Sequence, residues 1–167
     1  MRRSIILTAA ILFCFALNTG LAADKPNFTG TWIMDQNASF GVPPDMLQTL
    51  TVTHTGDKIT LEIKTITKQQ GERIINDTYT LDGKETEFVP QTLSGPSGKG
   101  KRTAKWLPDG SAVIISEDAT VDTPNGPVTT HQTRKWRLSS DRTRLTIDYY
   151  SDTPRGSFES KRIYTRK

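Results

Sequence analysis

The chain has 167 residues with 22 basic and 18 acidic side chains, 34% apolar residues and one cysteine. A single cysteine excludes a disulfide framework and a cysteine-built metal centre. A formal net charge of only +4, with cations alternating with acids and threonines, argues against a nucleic-acid surface.

Residues 1–23 read as a secretory signal peptide. Arg2 and Arg3 form the positive n-region, residues 5–17 form the apolar stretch, and Gly20, Ala22 and Ala23 offer small cleavage positions. The segment is too short and too weakly flanked for a stop-transfer helix. Cys14 falls inside the apolar stretch, so the product after cleavage has no cysteine. It also loses two cations, which leaves a charge of about +2. Residues 24–167 fit a single domain, and no second apolar run of membrane length follows. The expected location is secreted or periplasmic. Only about 28% of residues 24–167 are apolar. That is thin for a solid core, and it suits one sheet wrapped round a partly polar interior.

Period-two segments then recur with turn signals between them. Residues 28–34 are the first, followed by Leu50, Val52 and His54, and by Ile59, Leu61 and Ile63 beyond a Thr-Gly-Asp turn. Before these, residues 43–48 offer one helical turn at most. Residues 73–81 end at Asp82 and Gly83, a strong hairpin signal. Residues 85–89 are short, and residues 94–100 are rich in Gly, Pro and Ser and read as a loop. Lys99, Lys101 and Arg102 form a basic cluster that reads as a solvated turn. Residues 102–107, 112–117, 128–138, 144–150 and 157–164 complete the series, punctuated by Pro108-Asp-Gly, Pro124-Asn-Gly-Pro, Ser139-Ser-Asp and Pro154-Arg-Gly. The reading is all-β: a single antiparallel up-and-down β-barrel of about 8–10 strands, with short connections between sequential neighbours. Such a barrel can enclose a cavity, which answers the low apolar content.

Residues 27–32, Asn-Phe-Thr-Gly-Thr-Trp, and the hairpin-linked strands after them resemble the calycin superfamily of lipocalins and fatty-acid-binding proteins. The resemblance makes Gly30 and Trp32 the barrel floor. The last strand, with Arg162 and Tyr164 on one face, resembles the fatty-acid-binding-protein strand in which an Arg-x-Tyr pair grips a ligand carboxylate. Residues 129–136 resemble the Thr-Thr-x-x-Arg strand of the same family, which adds Arg134. The implied ligand-binding residues are therefore Arg162, Tyr164 and Arg134, a set suited to a carboxylate. The chain departs from that family in its leader, in its loop at residues 94–100, and in a segment at residues 37–48 too short and proline-rich for two helices.

Competing readings attach to several of these residues. A C-terminal arginine commonly packs over the first-strand tryptophan in lipocalins, so Arg162 has a structural alternative. Arg134 faces inward only if Trp136 does. His54 and His131 read as exposed strand histidines without metal-ligand partners. Glu117 and Asp118 are adjacent and point to opposite faces, so they form no acid–base pair. Asn27, Asn37 and Asn76 begin glycosylation sequons in form, meaningful only in a eukaryotic secretory pathway. No catalytic residue, metal or cofactor is expected, and the implied partner is a small lipophilic ligand, with no nucleic acid and no integral membrane segment. The rival expectation is an interaction module of the same fold, with its barrel filled by side chains and its loops contacting protein or polymer.

Overall fold

A computed structural model describes residues 25–92 and 95–167; the expected signal peptide lies outside them. The strands are β1 (Gly30–Met34), β2 (Leu47–Thr55), β3 (Lys58–Thr67), β4 (Gly71–Thr80), β5 (Thr86–Phe88), β6 (Gln91–Thr92), β7 (Gly95–Pro96), β8 (Lys99–Trp106), β9 (Val113–Thr123), β10 (Gly126–Leu138), β11 (Arg144–Thr153) and β12 (Gly156–Arg166). Ten of them form one antiparallel sheet in the order β4-β3-β2-β1-β12-β11-β10-β9-β8-β5. The short strands β6 and β7 pair separately. Sequential strands neighbour one another almost throughout, and the first strand pairs with the last, Trp32 opposite Arg166 and Met34 opposite Tyr164.

The sheet curls until its edges meet. Between β4 and β8 a full ladder is replaced by a bridge from Asp82 to Lys105, with the Gly83 N–H donating to the Ala104 carbonyl at 2.9 Å. Further along the same seam, Arg102 on β8 ion-pairs with Asp77 on β4. This is the all-β, up-and-down architecture that the alternation predicts.

Two expectations are corrected. The stretch at residues 43–48 forms no helical turn: the Met46 N–H donates to the Pro43 carbonyl at 3.1 Å, and β2 begins at Leu47. Two adjacent prolines lack the N–H groups a helix would use, and a tight turn needs only one. Met46 is buried and Val42 packs against the core, so this segment fills the space beside β2. The basic cluster is not a turn either. Lys99, Lys101 and Arg102 lie within β8, with Lys101 exposed and Arg102 buried.

One end of the barrel is closed by aromatics. Phe28 stacks on Trp106 at 5.8 Å between centroids and meets Trp136 edge-on at 5.9 Å. Trp32 is fully buried and donates its indole N–H to the Phe28 carbonyl at 2.9 Å. Each fully buried aromatic contributes on the order of 3 kcal/mol. Arg166 lies over Trp32, its guanidinium carbon 4.4 Å from the ring, and donates to the Thr29 carbonyl at 2.9 Å. Gly30 makes this stacking possible. Its φ is +147°, and a Cβ there would sit 3.1 Å from the Arg166 guanidinium. The arginine that covers the first-strand tryptophan is thus Arg166, four residues beyond Arg162.

Candidate functional site

Away from that floor the barrel wall turns polar. On β9, Val113 and Ile115 face the core, and two residues on the same face comes Glu117. On β10, Trp136 is buried and Arg134 is inward with it. On β8 the face carrying Ala104 also carries Arg102, and on β4 the face of Tyr79 carries Asp77. The β8–β9–β10 ladders bring Arg102, Glu117 and Arg134 together, and curling the sheet adds Asp77.

Glu117 is the centre of the cluster. One of its oxygens lies 2.5 Å from Arg134 Nη2 and 3.4 Å from Arg102 Nε. Arg102 also pairs with Asp77, and its guanidinium is sandwiched between the Phe88 ring at 3.8 Å and the Tyr79 ring at 5.1 Å. Phe88 can lie this close to β8 because residue 100 is glycine, where a Cβ would come within 2.4 Å of the Phe88 ring. The Tyr79 hydroxyl donates to Asp77 at 2.6 Å and accepts from Arg134 at 2.9 Å. Burial pushes the Tyr79 pKa well up, so the phenol stays neutral. Burial works against the Arg134 charge, but the oxygens of Tyr79 and Glu117 set against the guanidinium outweigh it and its pKa rises.

These groups form part of the wall of a cavity of about 720 Å³. Asn76, Gln91, Thr130 and Gln132 add polar lining, while Ile63, Ile75, Val89 and Val121 supply apolar surface. The volume falls in the range of small-molecule sites. Arg134 Nε has no hydrogen-bond acceptor, and Arg102 Nε has only the Glu117 oxygen at 3.4 Å.

A second polar group lies beside the first. Tyr149 stands directly across the β10–β11 ladder from Arg134, and its ring lies 4.1 Å from the Arg162 guanidinium. Arg162 donates to the Tyr149 hydroxyl at 3.3 Å and to Gln48 Oε1 at 3.1 Å. Tyr164, fully buried, donates its hydroxyl to the same Gln48 oxygen at 2.5 Å. Burial raises the Tyr164 pKa, keeping that phenol a donor. For Arg162 burial again opposes the charge, and the oxygens of Tyr149 and Tyr164 more than offset it, so its pKa also rises.

Arg162, Tyr164 and Arg134 all face the interior, and only Arg134 lines the main cavity. Asp77, Gln48 and Tyr149 are not singled out by the sequence reading, which puts Arg102 in a solvated turn and gives Glu117 no site role. Their signal was available, because each shares strand parity with a buried apolar or aromatic residue. Glu117 and Asp118 do point to opposite faces: Asp118 pairs outside with exposed His131. His54 departs from expectation. It is buried in the floor, with Nδ1 accepting the Phe28 N–H at 3.3 Å, on the face of Leu50 and Val52. Among the described residues no group of three His, Cys, Asp or Glu side chains is placed to hold a metal, and no helix is long and apolar enough to cross a membrane.

No protein-family model matches the chain, and no curated protein matches it in sequence. Among solved structures, the zebrafish ileal bile acid-binding protein complexed with cholic acid matches with a TM-score of 0.52. The alignment covers 84% of this chain and 98% of that one, at 14% identity. The likeness is one of fold, and the fold is calycin-like.

Proposed function

We propose that this protein binds a small amphiphilic acid inside its barrel, stoichiometrically, without turnover and without a cofactor, and that it does so after export from the cytoplasm. The observation that carries the reading is an interior charge surplus beside a cavity. Arg102, Arg134 and Arg162 are set against Asp77 and Glu117, and no carboxylate among the described residues lies within ion-pair distance of Arg162. A buried cation is costly unless paired, and an anionic ligand would complete the balance. The cavity of about 720 Å³ favours a ligand over a barrel filled by its own side chains.

The polar lining narrows the ligand. A hydroxyl group on the ligand body would answer the open Nε donor of Arg134, whereas a bare alkyl chain would leave it unpaired. The cholic acid in the zebrafish protein is a ligand of this kind. In this reading the acid group lies near Arg162, Tyr164 and Arg134. The export half of the proposal rests on the leader-like residues 1–23.

Mass spectrometry of a denatured extract of the purified protein tests the reading. A co-purifying amphiphilic acid supports it. Arg162→Ala should weaken uptake of an anionic lipid probe while the fold persists; unchanged affinity removes Arg162 from the site. Localisation of the tagged full chain, with and without residues 1–23, tests export.

A further inference from the structure

Gln48 occupies an unusual position. Its amide oxygen accepts from Tyr164 at 2.5 Å and from Arg162 at 3.1 Å. Its amide N–H group donates to Thr65, its partner across the β2–β3 ladder, at 2.8 Å. The side-chain oxygen is therefore held from behind and aimed at a cation and a phenol. One uncharged oxygen thus sits where a ligand carboxylate oxygen would sit to engage both groups. Gln48 and Tyr164 are buried, and Arg162 Nε still lacks an acceptor.

We propose that Gln48 is a built-in competitor for the ligand's acid group: its amide oxygen satisfies Arg162 and Tyr164 in the empty barrel, and a carboxylate binds there by displacing it. The inference rests on the binding function proposed above and adds the residue that sets how strongly acids are preferred. Displacement is favoured because a carboxylate can engage a guanidinium through two oxygens, whereas the amide offers one. It also gives the half-buried Arg162 charge a counter-charge, which the amide cannot supply. Tyr149 neighbours both Arg162 and the cavity-lining Arg134, so the two polar groups adjoin. The displaced amide keeps its bond to Thr65 if it turns about its outer torsions. Neutral amphiphiles have no such exchange to drive, so Gln48 tunes selectivity for acids over alcohols.

The experiment compares purified wild type, Gln48→Ala and Gln48→Glu, each titrated calorimetrically with dodecanoate and with dodecanol, and each unfolded in urea without ligand. Removing the competitor should raise the preference for dodecanoate over dodecanol by about fivefold or more. Gln48→Glu is nearly isosteric and installs the missing counter-charge permanently. It should lower that preference about tenfold or more while raising the urea midpoint. A side chain with only a structural role would not move stability and acid affinity in opposite directions. Preferences within about twofold of wild type in both variants overturn the inference and leave the barrel-binding function standing if wild type still takes up dodecanoate. Wild type that takes up neither probe overturns both.

Discussion

Glu117→Gln is the sharpest test of the interior network. Glu117 bridges two guanidinium groups at 2.5 and 3.4 Å, and its side chain is 11% exposed against 7% and 8% for those of Arg134 and Arg102. Solvent therefore cannot screen what the substitution leaves behind. Gln conserves the volume, so no cavity forms, and the loss isolates the charge. Removing one partner of a buried pair costs about 3–5 kcal/mol, because the remaining cations stay desolvated. At roughly 3 °C per kcal/mol for a domain near this size, melting should fall by roughly 10–15 °C. Urea unfolding followed by tryptophan fluorescence measures the free energy directly. Lys101→Ala is the control: that lysine pairs with Glu85 at 2.7 Å with the two side chains 59% and 56% exposed, so about 1 kcal/mol or less is expected. A loss below about 1 kcal/mol for Glu117→Gln would refute the claim that these charges are interdependent. So would additivity with Arg134→Gln, since groups in one network should show coupling of about 1 kcal/mol or more.

Three further outcomes follow from the floor. Trp32→Ala should destabilise by about 3–5 kcal/mol in the same urea assay, the range for emptying a buried aromatic site. Gly30→Ala should cost about 1–3 kcal/mol, because its φ of +147° disfavours a side chain and the new methyl presses on Arg166. For His54, burial lowers the pKa from 6.5, so the folded chain holds the imidazole neutral. As pH falls below 6.5 the unfolded chain takes up that proton first and stability drops; above 6.5 the contribution is fully present. His54→Gln should flatten the urea midpoint between pH 7 and 5, and an unchanged slope would place the acid sensitivity elsewhere.

Much of the architecture was legible because strand alternation is a local property. Each inward face carries its own period-two signal, and turn chemistry such as Asp82-Gly83 marks where the chain reverses. The inward placement of Arg134 followed from Trp136 by parity alone. The same rule applied to the other charged positions would have found Arg102 from Ala104, Glu117 from Ile115, and His54 from Val52. Charge is not a mark of exposure in this barrel: Glu117 stands across the β8–β9 ladder from Arg102 and beside Arg134 on β10, while Asp77 reaches Arg102 only when the barrel closes. The bonds that cross the seam, Arg102 to Asp77 and Arg134 to the Tyr79 hydroxyl, span 25 and 55 residues of sequence, and no local pattern encodes them. Gln48 was obscured for a different reason: it sits just beyond two prolines, in a segment whose strand signal starts late. The role of Arg166 was hidden by a choice between two arginines of equal parity at the end of one strand, which only the register with Trp32 decides.

The central claim is that the barrel interior receives an acid, and a paired titration tests it most directly. Purified protein, stripped of co-purified ligand, is titrated with dodecanoate and with dodecanol, which share a tail and differ in charge. An interior with one unpaired arginine predicts saturable one-to-one uptake with the acid bound about tenfold or more tighter, a difference of about 1.4 kcal/mol. It predicts that Arg162→Ala removes most of that difference. Equal affinity for the two probes, or an acid preference untouched by Arg162→Ala, would contradict the account.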